Sequence, residues 1–152
     1  MPAGAVDVSV EGEWSFAQTL RHLVMATDVW LRRAILEVEQ PFHPFGLPNV
    51  EDETDVEDVS AVPPAPVTPT YSEVLDARAG RVTMVREFLS AVTPEQLAMQ
   101  RKNPWAPEHP ETILSCLHVI ANEEWEHHRY AVRDLDAIDA GSLGAAGTLR
   151  SQ

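Results

Sequence analysis

Apolar residues recur at intervals of three and four along three stretches of the chain, a pattern typical of helices that bury one face. The first stretch predicts a helix over about 15–38, opened by a capping box in which Ser15 pairs with Gln18. The second predicts a helix over about 71–92, and the third a long helix over about 110–139. These stretches account for most of the apolar residues and indicate a helical protein.

The residues between the helices support the same class. Thr70 and Glu73 form a second capping box, and Thr93 precedes Pro94 in the arrangement that opens a short helix, over about 94–100. Alternating apolar and polar residues, which would indicate strands, are almost absent. The expected fold class is therefore all-α, an antiparallel helical bundle.

The chain divides into four parts by composition. Residues 1–13 have no helical period and are expected to form an irregular N-terminal arm, and 14–140 form the bundle. Within the bundle, 39–70 is rich in proline and acidic residues and predicts a long crossover loop. Residues 141–152 are expected to be a flexible C-terminal tail.

Charge and cysteine content restrict the partners and the compartment. The net charge is −13, which makes nucleic acid and anionic membrane surfaces poor partners. No apolar run approaches the length of a membrane span, and the first residues lack the pattern of a signal peptide. Cys116 is the single cysteine, so a reducing cytoplasm is the expected location.

Two glutamate–histidine pairs at helical spacing are the main candidates for chemistry. They are Glu123 with His127 and Glu124 with His128, offset by one residue, so a helix cannot point both the same way. A helical wheel at about 100° per residue places Glu124 and His128 near the middle of the apolar side and the other pair at its edge. That apolar side consists of Ile113, Leu117, Ile120, Ala121, Ala131 and Leu135.

A buried carboxylate is costly unless it has a partner or coordinates a metal. One interpretation is a hydrogen bond or ion pair between Glu124 and His128, with water at an open end of the bundle. The other is a metal site with a third ligand from a neighbouring helix, for which His22 is the candidate. The spacing alone leaves both interpretations open.

The stretches "EWSFAQTLRHL" and "NEEWEHHRYAVRDL" resemble the DinB-like superfamily, which includes the mycothiol-dependent maleylpyruvate isomerase group. "PFHPFGLP" between them resembles an actinobacterial branch, and the resemblance covers roughly 12–138. It implies a metal triad of one histidine from the "L-x-H-L" helix and two ligands from the last helix, which are His22, Glu124 and His128 by position. Many members have histidine in place of Glu124, and the maleylpyruvate isomerase group has glutamate there.

The chain departs from the family pattern at one point. The family bundle usually has a long helix before the "W-S" element, and here that first helix is missing or shortened. A bundle with one helix fewer exposes an apolar stripe, which a second subunit would cover. We therefore expect a homodimer.

Two histidines and a carboxylate suit Zn²⁺ with an open coordination position, and Ni²⁺ is also compatible. The resemblance implies that a small thiol of the mycothiol type is transferred to a small electrophile, or used to isomerise it. The ligand set alone would also permit hydrolysis of a small amide or ester. A non-catalytic helical bundle that binds a partner is the further alternative. The pattern assigns no separate catalytic residue.

Overall fold

The computed structural model describes residues 4–48 and 67–148, with side chains as far as 141. A short 3₁₀ turn, Ala5–Asp7, comes first. The main elements are α1 (Phe16–Thr27), which continues as a π-helix over Asp28–Ile35, then α2 (Tyr71–Ala91), α3 (Pro94–Leu97), β1 (Gln100–Arg101), β2 (Glu111–Thr112) and α4 (Ile113–Thr148). The all-α fold class predicted from the sequence is confirmed, with one very small sheet added to it.

The residues predicted to cap the helices do so in the structure. The Ser15 hydroxyl accepts the Gln18 amide hydrogen at 3.3 Å, and the Gln18 side chain accepts from the Ser15 amide at 2.9 Å. Thr70 makes the same reciprocal bonds with Glu73, and Thr93 caps α3. Each capping box satisfies amide groups that a helix start leaves without an internal partner.

The long helix α4 begins later and ends later than its pattern predicted. Residues Glu111 and Thr112 pair with β1 instead of entering the helix, and the Thr112 hydroxyl accepts the Ser115 amide hydrogen at 3.0 Å. At the other end the helix passes Gly141 and continues to Thr148, through much of the segment expected to be a tail.

Contacts along their length show that α1 and α4 run in opposite directions. Glu13, just before α1, pairs with Arg133 late in α4, and His22 contacts Glu123 in its middle. Leu31, in the π-helical part, packs in the core with residues from the start of α4. The buried core there comprises Leu31, Ala34, Ile35, Ile113, Cys116, Leu117 and Ile120.

The helices α1 and α2 run side by side in the same direction. The Phe16 and Tyr71 rings near their starts lie 6.4 Å apart, and Asp28 and Arg81 pair farther along both. Two parallel neighbours need a long connection, because the chain must return to the end from which it started. The segment between them supplies it, and 49–66 of that segment lie outside the described residues.

None of the helices in the described ranges has the length and apolar character needed to cross a membrane. Cys116 is fully buried in the core, and burial raises the pKa of its thiol. It therefore acts as a small apolar residue, as its position in the sequence predicted.

Candidate metal centre

Three side chains from α1 and α4 converge at the middle of the bundle. His22, Glu123 and His127 each offer one ligand atom, and these atoms lie within 4.8 Å of one another. His22 Nε2 is 3.3 Å from Glu123 Oε2, and the two imidazole centroids are 4.8 Å apart. Histidine and glutamate in this number form the ligand set of a catalytic zinc site.

Backbone carbonyl groups accept hydrogen bonds from one nitrogen of each histidine. His22 Nδ1 lies 3.2 Å from the Leu47 carbonyl oxygen, and His127 Nδ1 lies 2.9 Å from the Glu123 carbonyl oxygen. A carbonyl only accepts hydrogen bonds, so Nδ1 is the donor wherever these bonds form. His22 Nε2 faces the Glu123 carboxylate, which also only accepts, so in the metal-free ring the two acceptors compete for the proton. A metal ion would replace the proton on Nε2 and leave Nδ1–H on the carbonyl, which is the usual arrangement of a metal-binding histidine.

The separation of one pair of ligand atoms fits a metal ion. Tetrahedral coordination with bonds of about 2.1 Å places neighbouring ligand atoms about 3.4 Å apart. The distance of 3.3 Å between His22 Nε2 and Glu123 Oε2 agrees with that value. The hydrogen bond from His22 is the largest influence on the pKa of Glu123 and lowers it, whereas burial acts in the opposite direction. The carboxylate is therefore ionised at neutral pH, as a metal ligand must be.

Aromatic rings form the wall behind the cluster. The Trp14 ring lies 4.6 Å from the His22 ring and 6.2 Å from the His127 ring, and Tyr130 meets His127 edge-on. In front of them is a cavity of about 810 Å³, within the range that holds small-molecule ligands. It is lined by Gly12, Glu13, Trp14, Thr19, His22, Glu123, His127, Tyr130, Arg133 and Asp134.

An arginine ties the rim of this cavity together. Arg133 pairs with Glu13 across the cavity and with Asp134 at 2.7 Å, and its guanidinium lies 5.4 Å from the Tyr130 ring centroid. The segment before α1 is thereby attached to α4 beside the candidate ligands. The cavity therefore has a polar rim and an aromatic inner wall.

The structure places Glu124 and His128, the pair predicted as ligands, away from the cluster. Glu124 pairs with Arg78 of α2, its side chain is 38% exposed, and His128 is exposed. Of the three residues predicted as ligands, only His22 is brought to the cluster. The expectation that Glu124 and His128 face the interior therefore has to be corrected to Glu123 and His127.

The helix α4 has two apolar sides, which explains why the helical wheel pointed to Glu124 and His128. One side of the helix packs on α1 and carries Cys116, Ile120, Glu123 and His127. A second apolar side lines an open groove of about 660 Å³ between α2 and α4, with Leu117, Ala121 and Glu124 among its lining residues. A helical wheel averages the directions of the two apolar sides, so the predicted centre of the buried face was displaced by one residue, or about 100°. Counting Cys116 as a core residue would have moved the predicted centre toward the side that carries Glu123 and His127.

Arg81 of α2 and His43 of the crossover lie outside the cluster and are bound to Asp28. Arg81 donates to both carboxylate oxygens of Asp28, at 2.8 and 3.0 Å, and both side chains are buried. His43 donates its backbone N–H to Asp28 at 2.7 Å, and its Nδ1 accepts from the Phe45 amide at 3.1 Å. These residues attach the crossover to the bundle.

A helical bundle with a histidine–glutamate cluster between two helices defines the class of protein. Residues 2–131 match the DinB superfamily, and the chain belongs to that family. Comparison with curated proteins and with solved structures gave no match. The family and the cluster together support a metal-binding helical protein, and the resemblance to the superfamily is confirmed.

Proposed function

We propose that this protein is a divalent-metal-dependent enzyme that transfers a small thiol, of the mycothiol type, to a small electrophile or uses it to isomerise one. The metal, zinc or alternatively nickel, is held by His22, Glu123 and His127. The observation that carries the proposal is the convergence of these three ligands on the wall of a ligand-sized cavity. This ligand set replaces the triad with Glu124 and His128, since those two residues lie away from His22.

The charge of the cavity supports a cation there. Its lining holds the carboxylates of Glu13, Glu123 and Asp134 and the guanidinium of Arg133, a net charge of −2 with neutral histidines. A bound divalent cation brings that charge to zero.

A metal with an open position lowers the pKa of a bound thiol and so supplies a nucleophile at neutral pH. The residues of the chain do the rest. Trp14 and Tyr130 exclude water from the inner wall, and Glu13 and Asp134 are carboxylates on the same cavity to which the thiol proton can pass. Arg133 holds both carboxylates in place at the rim.

The first experiment is elemental analysis of the purified protein beside His127→Ala and His128→Ala. We expect near-stoichiometric metal in the wild type and in His128→Ala, and its loss in His127→Ala. The two variants are a matched pair, because they remove the same side chain from adjacent positions of one helix. No metal in the wild type after reconstitution with zinc and nickel contradicts the proposal.

The second experiment incubates the metal-loaded protein with low-molecular-weight thiols and small unsaturated or aromatic electrophiles, with products followed by mass spectrometry. Thiol adducts or isomerised product, absent with His127→Ala, support the transferase or isomerase. Hydrolysis of a small amide or ester without thiol favours the hydrolase instead. Metal binding without any turnover favours a non-catalytic metal-binding bundle.

The same proposal includes a homodimer formed at the groove between α2 and α4. The groove is mostly apolar, and Leu89 and Leu114 at its sides are 53% and 43% exposed. Two copies related by a two-fold axis would cover this apolar surface on each other.

Sedimentation equilibrium tests the dimer. We expect a dimer for the wild type and a monomer for Leu114→Glu, which places a charge in the groove. Leu36→Glu is the control, because Leu36 is a similarly exposed leucine away from the groove. A wild type that stays monomeric at high concentration contradicts a dimer.

A further inference from the structure

The start of the crossover loop is attached to α1 directly beside the candidate metal centre. Several contacts hold it, and two of them involve Arg21, the residue before His22. Arg21 Nε donates to the Phe45 carbonyl at 2.9 Å, and the Arg21 carbonyl accepts the Leu47 amide hydrogen at 3.2 Å. The other two are the Asp28–His43 bond and the close packing of Gly46 on Met25.

Arg21 also holds the far end of the same crossover. Its second guanidinium nitrogen donates to the Val67 carbonyl at 3.2 Å, just before α2. One side chain therefore bridges the two described ends of a long connection. A planar guanidinium with several donors is suited to this role, because it can bind two carbonyl groups in fixed directions.

These contacts affect His22 through Leu47. The Leu47 amide donates to the Arg21 carbonyl, and the Leu47 carbonyl oxygen accepts from His22 Nδ1 at 3.2 Å. A loop that moved away would release Nδ1, and the proton could then occupy either nitrogen. Partners that orient a metal-binding histidine in this way typically change metal affinity by about 10–100-fold when removed.

We propose that Arg21 is a positioning residue, which acts through the loop at Phe45–Leu47 to keep the Leu47 carbonyl on His22 Nδ1 and so leave Nε2 for the metal. This inference rests on the proposed metal centre. Arg21 does not itself contact the metal ligand atoms. Its effect passes through a backbone carbonyl.

The test compares the full-length wild type with Arg21→Met, which keeps the aliphatic stem and removes both donors, and with Arg21→Lys. Nitrogen-detected NMR of the zinc-loaded protein reports the tautomer of His22, that is, which ring nitrogen carries the proton and which binds the metal. We expect an Nδ1–H ring with Nε2 on zinc in the wild type, a mixture of tautomers in Arg21→Met, and a partial return in Arg21→Lys. Competition with a chelator should show zinc affinity about 10–100-fold weaker in Arg21→Met.

Two further variants keep the test decisive. Arg129→Met removes an exposed arginine that pairs only along its own helix and should leave tautomer and affinity unchanged. Gly46→Val displaces the loop without touching Arg21, because a Cβ there would lie 3.2 Å from the His43 carbonyl oxygen and 3.3 Å from Met25 Cβ. It should reproduce the Arg21→Met effect, and Gly80→Val, where nothing lies within 4 Å of an added Cβ, should not.

The outcome separates this inference from the function proposed above. Arg21→Met and Gly46→Val that both retain the Nδ1–H tautomer and wild-type zinc affinity overturn the positioning role. A wild type that binds no zinc contradicts the metal centre, whereas zinc binding that is the same in all variants contradicts the role of Arg21 alone.

Discussion

Two glutamate–histidine pairs occupy the same turns of α4, one residue apart, and meet entirely different surroundings. Glu123 and His127 face α1, where His22 and Trp14 contact them. Glu124 pairs with Arg78 at the edge of the α2–α4 groove, and His128 is exposed. Residue types and spacing are identical in the two pairs, so the neighbours alone create the difference.

The two pairs show that residue types and spacing do not by themselves specify a metal site. A carboxylate beside an arginine has its charge satisfied by a protein cation, and such a pair has no need of a metal. The Glu123 carboxylate instead lies beside two histidines, which bind backbone carbonyls through Nδ1 and can each offer Nε2 to a metal ion. The second environment is the one that a divalent cation completes.

Zinc affinity should separate the two pairs most strongly. Glu123→Gln removes a proposed ligand and should weaken zinc binding by more than about 100-fold, since even orienting partners contribute about 10–100-fold. Glu124→Gln makes the same chemical change one residue away and should leave the affinity unchanged. Chelator competition measures both, and equal losses in the two variants would show that the structure assigns the wrong pair.

Thermal unfolding should also distinguish the two pairs, because bound zinc raises the free energy of unfolding. With free zinc at about 100 times its dissociation constant, binding should stabilise the folded wild type by about 2.7 kcal/mol. His127→Ala should lose this gain because the ligand is gone, while His128→Ala should keep it. Calorimetry with and without zinc tests the pair, and a gain that survives in His127→Ala contradicts the assignment.

The pH dependence of the metal-free protein should respond to Glu123. Because the pKa of Glu123 is lowered in the folded protein, the folded state releases this proton more readily than the unfolded chain. Its contribution to stability is therefore fully present above the ordinary carboxyl pKa of about 4.3 and is lost as the pH falls through the lowered value. Urea unfolding at a series of acidic pH values should show a shallower loss in Glu123→Gln than in the wild type. Identical pH profiles would mean that the His22 contact contributes nothing in solution.

Arg78→Met should have the smallest effect. It leaves Glu124 without its partner at a partly exposed position, and exposed pairs of this kind contribute about 0–1 kcal/mol. Zinc affinity should not change, because neither residue belongs to the candidate centre. Denaturant unfolding and zinc titration of the same sample provide the test, and a large loss of zinc affinity would connect the groove to the metal centre.

Local signals in the sequence predicted the helices well. Capping boxes at Ser15 and Thr70 and the capping residue Thr93 act through neighbouring residues of the chain, so their contacts follow from sequence spacing. The start of α4 was less predictable, because Glu111 and Thr112 are held by pairing with β1. The π-helix at the end of α1 likewise had no signal in the apolar pattern.

The candidate site was predictable only in part. His22 and the two glutamate–histidine pairs were identified by type and spacing, and the DinB superfamily by its motifs. The roles of Leu47 and Arg21 were not visible, since a backbone carbonyl carries no sequence signal and Arg21 acts on residues far along the chain.

The sequence by itself determined that this chain is an all-α member of the DinB superfamily with a histidine on one helix and two glutamate–histidine pairs on another. Only the tertiary structure decided which pair lies beside His22. Adjacent residues on a helix point about 100° apart, and both directions on α4 are apolar, one toward α1 and one toward the groove. The packing of α1 selects Glu123 and His127, because a ligand set depends on which side chains neighbouring helices bring together.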